Sequence, residues 1–295
     1  MISNPKSRVT FLTFVTFLNA EESDQQIDDF SLAGYAERGK KSWDLSGKSA
    51  DIFTDVVKLK SVVGNLYGKG EDIKLTADKG DFNKTEGKVH LEDNVVITTS
   101  AGTKMTTDSL DWDRKNQLVS TEDFVNIERQ NMVTTAYGAR GETNLKKVSL
   151  KNDVTVNINP VEEGKSHEQG IKKKIVITCD GPLQIDYGEN IATFNNNVKV
   201  DTQDVLIDSD IMDVYFGGSG KDNKDKVTAE TQSVAAMGNK IKKIVARGNV
   251  KITRGENISY SDEATYTASD KKIMLSGKPK LIIYSTQDMK ASFAN

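Results

Sequence analysis

The chain has 295 residues, of which 28% are charged, and its formal net charge is only −3. So small a net charge argues against nucleic acid as a partner. The single cysteine, Cys179, excludes an internal disulfide, which fits either the cytoplasm or a periplasmic β-protein. Hydrophobic residues make up 36%, which is modest for a compact globule and suits an extended sheet with more surface per residue.

The N-terminal segment, residues 1–26, has a basic start followed by a short apolar run from Val9 to Leu18. A basic start, an apolar run and a small residue before acidic residues are typical of a secretory signal peptide. The run is too short to cross a bilayer, which takes roughly 20 residues. The segment is therefore interpreted as a signal peptide or a shortened membrane anchor, with a plain β-strand as the third alternative.

A nine-residue phrase, apolar-x-apolar, a polar step, then apolar-x-apolar, occurs six times along the chain. Alternation with a period of two places the apolar members on one face of a β-strand. The members are Val89, Leu91, Val95 and Ile97; Val119, Thr121, Val125 and Ile127; Val148, Leu150, Val154 and Val156; Ala192, Phe194, Val198 and Val200; Ile244, Ala246, Val250 and Ile252; and Ile273, Leu275, Pro279 and Leu281.

The polar step between the two halves of each phrase predicts a corner within the strand. Asp93-Asn94, Asn152-Asp153, Asn196-Asn197 and Gly248-Asn249 occupy this step, and such residues let a strand bend while keeping its apolar face. Successive corners are separated by 30, 29, 44, 52 and 29 residues, and a period near 30 indicates a stacked repeat.

Two insertions account for the longer intervals. The first, residues 159–174, is rich in charge and predicts a linker between a domain at 27–158 and a domain at 175–295. The second, residues 217–240, opens with a glycine-rich stretch, and a short helix is expected from Val227 to Met237.

A weaker phrase alternates with the first and predicts return strands. It comprises Met105 to Trp112, Ile207 to Val214 and Asp262 to Tyr266, with a looser match from Leu75 to Phe82. Each contains an aspartate, and short polar turns join these segments to their neighbours. We therefore expect antiparallel pairing throughout.

Convergent catalytic groups are not evident, and no enzyme activity, cofactor or metal is predicted. His90 lies between inward-facing residues and should point outward, while His167 lies in the charged insertion. Asp208 and Asp210 are better explained as the polar edge of a turn than as a catalytic pair. The Gly-Lys sequences at 47–48, 164–165 and 220–221 do not complete a phosphate-binding loop.

The pattern predicts an all-β protein with two open β-jellyroll domains, each a folded-over antiparallel sheet, stacked end to end. An open apolar face of this kind indicates a hydrocarbon ligand. The residues expected to line the groove and bind lipid are Val89, Leu91, Val95, Ile97, Leu110, Trp112, Val125, Ile127, Val154, Val156, Phe194, Val198, Val200, Val250, Ile252 and Leu275. One alternative is a structural β-solenoid or adhesin with a sealed core. Another is a carbohydrate-active β-helix enzyme, which ranks lower because no carboxylate cluster recurs on one face of the predicted strands.

Short segments in both halves resemble lipopolysaccharide-transport proteins of the OstA-like family. Residues 241–252, 264–266 and 272–281 make the second domain similar to LptA, and residues 30–35, 43–45, 75–80, 87–112 and 120–127 make the first similar to LptC. The resemblance implies a β-jellyroll open along one side, located in the periplasm, with an N-terminal anchor at the inner membrane as a further possibility.

The same resemblance implies the partners. These are lipopolysaccharide through its lipid A acyl chains, the permeases of an inner-membrane ABC transporter, and an outer-membrane translocon or further OstA-like units docked head to tail through edge strands. LptC-like proteins usually begin with a full transmembrane helix, and the run from Val9 to Leu18 is shorter than that.

Overall fold

The computed structural model describes residues 25–35, 39–67, 72–142, 147–159, 174–217, 241–270 and 272–283. The expected signal or anchor, nearly all of the predicted linker and the expected helix from Val227 to Met237 lie outside these ranges. Within them the chain forms strands β1 (Gln25–Tyr35), β2 (Lys41–Ile52), β3 (Val56–Tyr67), β4 (Asp72–Asn83), β5 (Lys88–Thr99), β6 (Thr103–Asp113), β7 (Leu118–Arg129), β8 (Met132–Glu142), β9 (Lys147–Ile158), β10 (Ile175–Cys179), β11 (Leu183–Asp186), β12 (Ile191–Asp201), β13 (Val205–Phe216), β14 (Ile241–Arg254), β15 (Asn257–Thr267), β16 (Lys272–Ser276) and β17 (Lys280–Ile282).

All of these strands belong to one 17-stranded sheet, which confirms the predicted all-β fold. Strands that follow one another along the chain pair antiparallel, as β5 does with β4 and β6. The strands β10 and β11 lie end to end between β9 and β12, and β16 and β17 lie end to end beside β15. In the described part of the chain, no helix is long and apolar enough to span a membrane.

The predicted corners are present. Asp93, Asn94, Asn196, Asn197 and Asn249 adopt positive φ, the region that glycine and asparagine tolerate best. The pairing register shifts at the same places, for example between Glu92 and Val95 of β5 and between Asn195 and Val198 of β12. Each shift is a β-bulge, and it turns the strand without moving its apolar side chains to the other face.

The corners divide the sheet into two leaves. We call leaf A the segments aligned with residues 88–92 of β5, and leaf B the segments aligned with residues 95–99. The line where the leaves meet is the crease, and the opposite opening, at the hairpin turns, is the mouth.

Aspartates of the return strands hold the corners of the neighbouring strands. The side-chain amide of Asn94 donates to Asp78 Oδ2 at 2.6 Å, and that of Asn249 donates to Asp210 Oδ2 at 2.8 Å. Asp210 therefore lies at a corner inside the sheet, and not at the edge of a hairpin turn as the sequence suggested.

The core lies between the leaves and forms two clusters. One runs from Phe30 to Leu110, and the other from Val125 to Ala264. The second cluster joins residues on both sides of the predicted linker, because β9 pairs with β10 and β11. Cys179 is buried in this cluster as a free thiol, and burial raises its pKa. The domain boundaries drawn from the sequence stay a prediction, while the sheet itself runs through the junction.

Candidate functional site: an apolar groove between two leaves

A row of paired residues crosses leaf A on the inner face without interruption. Each member is the direct cross-strand partner of the next, so their side chains are neighbours. From β3 to β16 the row is Val57, Phe82, Val89, Trp112, Val119, Gly141, Val148, Ile185, Ala192, Val214, Ile244, Tyr266 and Ile273.

A matching row crosses leaf B and faces the first. From β1 to β17 it is Leu32, Leu45, Gly64, Leu75, Ile97, Met105, Ile127, Thr134, Val156, Ile177, Val200, Ile207, Ile252, Ser259 and Leu281. At about 4.8 Å per strand, the two rows bound an apolar trough roughly 65 Å long. Its length is set by repetition of one hairpin, and it does not stop at the predicted linker.

The predicted groove residues all lie on this inner face. Seven belong to the two rows: Val89, Trp112, Ile97, Ile127, Val156, Val200 and Ile252. Nine lie nearer the crease: Leu91, Leu110, Val95, Val125, Val154, Phe194, Val198, Val250 and Leu275. Their contact with lipid stays a prediction.

Burial separates the crease from the mouth. Leu91 and Val125 at the crease are 0% exposed, and Val250 is 1% exposed. Ile97 and Ile252, two positions further from their corners, are only partly buried. The crease is therefore solid core, whereas the rows nearer the mouth mix partly buried residues, such as Ile97 and Ile252, with buried ones, such as Val89 at 3% exposed.

A small apolar cavity lies between the leaves in the first half of the chain. It encloses about 40 Å³ and is lined by Leu66, Ile73, Leu75 and Ile97 of leaf B and Leu110, Trp112 and Val119 of leaf A. Sites for small molecules typically measure roughly 300–1,000 Å³. An acyl chain therefore fits only after the leaves move apart.

Opening the leaves breaks no backbone ladder. Every strand pairing in the described residues joins neighbours along the stack, and none joins leaf A to leaf B across the mouth. Only the corners connect the leaves covalently, so the mouth is held by side chains alone.

A second concavity of about 430 Å³ lies on leaf A where the two halves of the chain meet. Its lining combines inner-row Val148 and Ile185 with charged residues near the strand ends, among them Arg140, Lys147 and Asp186. Lys147 and Asp186 are themselves paired at 3.4 Å. This concavity was not predicted from the sequence, because its lining comes from strands on both sides of the linker.

His90 points outward from leaf A, as predicted. Its ring is hydrogen-bonded through Nδ1 to Asp111 at 2.7 Å and through Nε2 to Glu92 at 3.1 Å. The hydrogen bond to Asp111, reinforced by Glu92, raises the pKa of the imidazole above its ordinary value. In the described ranges, no group of three or more His, Cys, Asp or Glu side chains is arranged to hold a metal ion.

One antiparallel sheet folded into two leaves around an apolar trough defines an open β-jellyroll of the lipopolysaccharide-transport class. Residues 16–159 match the family of lipopolysaccharide-assembly proteins related to LptC. Residues 181–292 match the LptA/LptD N-terminal domain family of LPS transport proteins. The two matches, in this order along the chain, correspond to an LptC-related unit followed by an LptA-like unit. Comparison with curated proteins finds no match.

These two family matches support a role in lipopolysaccharide transport. Proteins of these families act in the periplasm as transport components, and not as enzymes.

Proposed function

We propose that this protein is a non-catalytic bridge that shelters the acyl chains of lipopolysaccharide between leaves A and B on the way from the inner to the outer membrane. The observation that carries the proposal is the pair of inner rows, which run from the LptC-related unit into the LptA-like unit. Most positions along them are aliphatic or aromatic, interrupted at Gly64, Thr134, Gly141 and Ser259, so a lipid tail meets a largely apolar surface along both rows.

The energetics favour a hydrocarbon guest. Each buried methylene contributes about 0.8 kcal/mol, so a chain of about 14 carbons gains on the order of 10 kcal/mol before entropic costs. Because one hairpin is repeated, successive sites have similar affinity, and sliding between them meets no deep trap. The energy for net movement comes from a partner such as the inner-membrane ABC transporter.

The edge strands supply the means of docking to other units. On β1 the inner-facing Ile27 and Leu32 are 45% and 55% exposed, and on β16 and β17 the inner-facing Ile273 and Leu281 are 56% and 59% exposed. Unpaired edges with apolar side chains invite a further strand. These edges are proposed to join the permeases of the inner-membrane ABC transporter, further OstA-like units or the outer-membrane translocon. The inner-membrane anchor is proposed for the N-terminal segment.

Site-specific photo-crosslinking to lipopolysaccharide tests the groove. A benzophenone side chain at Ile97, Ile127 or Ile252 should label the lipid, because these positions are inward and only partly buried. The matched controls are Lys88 and Lys251, which lie on the same strands and point outward. Labelling confined to the outward positions would reverse the assignment.

The narrow cavity favours one alternative, a structural β-solenoid with a sealed core. A fluorescent acyl probe separates the two functions, because competition with lipid A requires leaves that open. Failure of the probe to bind, together with no label at the inward positions, would support the sealed core.

A further inference from the structure

The mouth of the groove in the LptC-related unit is spanned by one arginine. Arg114 lies in the turn between β6 and β7, at the end of leaf A. Its guanidinium carbon is 5.1 Å from the ring centre of Trp43 on leaf B, and 5.7 Å and 6.0 Å from the ring centres of Phe82 and Trp112 on leaf A. A cation within about 6 Å of a ring centre is attracted to the ring face. Arg114 therefore links the two leaves where no backbone pairing does.

Two of the three rings adjoin the small apolar cavity. Trp112 belongs to its lining, and Trp43 is the cross-strand partner of Leu66, which also lines it. Trp43 reaches this position by lying over Gly34, where a Cβ would come within 2.0 Å of the indole Nε1. The indole N–H of Trp112 is buried, and no hydrogen-bond partner for it occurs in the described residues.

The rim around Arg114 carries two further cations, Lys84 and Lys115, that make no close ion pair with a described carboxylate. Lys84, on the preceding turn of leaf A, donates to the backbone carbonyls of Phe53 and Thr54, and Lys115 donates to the carbonyl of Thr85. Across the described ranges, no carboxylate lies within the 4.0 Å ion-pair distance of Lys84, Arg114 or Lys115.

The nearest acids already have partners. Glu86 is paired with Lys88 at 2.7 Å, and Asp113 accepts hydrogen bonds from the backbone and side chain of Asn116. A cationic rim above an apolar cavity is complementary to a molecule with an anionic head and a hydrocarbon tail.

We propose that Arg114 is a latch for an amphiphile with a phosphate headgroup. In the empty protein the guanidinium lies among the three rings and holds the leaves together. When a tail enters between the leaves, the guanidinium leaves the rings and binds the phosphate, which it can contact through two parallel N–H donors. The inference rests on the proposed function, and it adds the chemical class of the lipid headgroup and the residue that binds it.

Intrinsic tryptophan fluorescence is a direct probe of this site, because Trp43 and Trp112 are the two tryptophans of the chain. Tryptophan fluorescence of the full-length protein is titrated with dodecyl phosphate, with dodecyl maltoside, which has the same tail and no charge, and with inorganic phosphate, which has no tail. Both amphiphiles are kept below micelle formation. Dodecyl phosphate should give a saturable spectral change, dodecyl maltoside a weaker one, and inorganic phosphate none.

Variants assign the effect to the guanidinium. Arg114→Ala should weaken dodecyl phosphate binding about tenfold or more while leaving dodecyl maltoside binding unchanged or tighter, since a charge-assisted contact is lost and the mouth is freed. Arg114→Lys should recover only part of the affinity, because an ammonium lacks the planar pair of donors. Lys115→Ala is the comparison, since it removes a charge of the same rim without touching a ring, and it should weaken dodecyl phosphate binding less than Arg114→Ala does.

Three results would overturn the latch. The first is wild-type affinity for dodecyl phosphate in a folded Arg114→Ala protein. The second is a loss of dodecyl phosphate affinity in Lys115→Ala as large as that in Arg114→Ala. The third is that inorganic phosphate alone causes the same change in tryptophan fluorescence as dodecyl phosphate. If dodecyl maltoside binds and the inward crosslinks form while Arg114→Ala behaves as wild type, the latch fails and the proposed function stands. If neither amphiphile binds the wild type and no inward crosslink forms, the proposed function itself fails.

Discussion

At the scale of single residues, the corners depend on a few side chains with unusual backbone angles. Gly248 has φ of +76°, and a Cβ at this position would lie 2.3 Å from Asp210 Oδ2, the atom that accepts from Asn249. Any side chain there strains the backbone and also displaces the aspartate that holds the corner.

Gly248→Ala should therefore lower the free energy of unfolding by about 1–3 kcal/mol, measured by urea denaturation. Gly255→Ala is the matched control, because Gly255 also has positive φ, +58°, with nothing within 4 Å of the added Cβ. An equal loss in the two variants would show that backbone strain alone matters and that the aspartate does not.

His90 makes the stability of leaf A depend on pH. Folding raises its pKa, chiefly through the hydrogen bond to Asp111, so the protonated ring stabilises the folded state. This contribution is complete below the unfolded value of about 6.5 and is lost as pH rises through the higher folded value. Asp81 on β4 is the direct cross-strand partner of His90 and lies on the same outer face.

The difference in unfolding free energy between wild type and His90→Gln should thus be largest below about pH 6.5 and shrink at higher pH. Denaturation curves across this range measure it, and Asp111→Asn should reduce the pH dependence in the same way. A difference that grows with rising pH would contradict the assignment.

At the scale of strands, the apolar residues of the nine-residue phrase lie in two different environments, the buried crease and the more exposed surface nearer the mouth. Val250, next to the corner of β14, is 1% exposed, whereas Ile252, two residues further on, is only partly buried. A carboxylate intended to block lipid binding in a folded protein is better placed at Ile252 than at Val250, because an unpaired carboxylate at the crease has no access to water.

Val250→Asp should cost about 4 kcal/mol or more and leave little folded protein, as measured by urea denaturation. Ile252→Asp should remain folded and lose crosslinking to lipopolysaccharide at neighbouring inward positions. Unchanged crosslinking in a folded Ile252→Asp protein would argue against a path through leaf B.

At the scale of the whole molecule, the proposed docking between units depends on the exposed edges of the sheet. Ile273→Lys combined with Leu281→Lys places charge on the inner face of the last strands, and it should reduce head-to-tail association measured by sedimentation at increasing concentration. Met274→Lys is the control, since Met274 is 67% exposed on the same edge but points to the outer face. The edge-docking proposal would be wrong if Met274→Lys reduced association as much as the double variant does, or if the wild-type protein did not associate at any concentration.

The sequence alone determined the all-β fold, the corners and the inward face, because alternation with a period of two and residues tolerant of positive φ are local properties of each strand. It did not predict the corners of β1, β3 and β8 at Asp29, Ser61 and Gly138, because those strands lack the repeated phrase. Only the tertiary structure decided which inward residues are crease and which line the mouth, and that the sheet continues past the predicted linker. It alone brought Arg114 to Trp43, 71 positions apart in the chain. Those features depend on how far two leaves approach each other, and that distance is set by packing between segments distant in sequence.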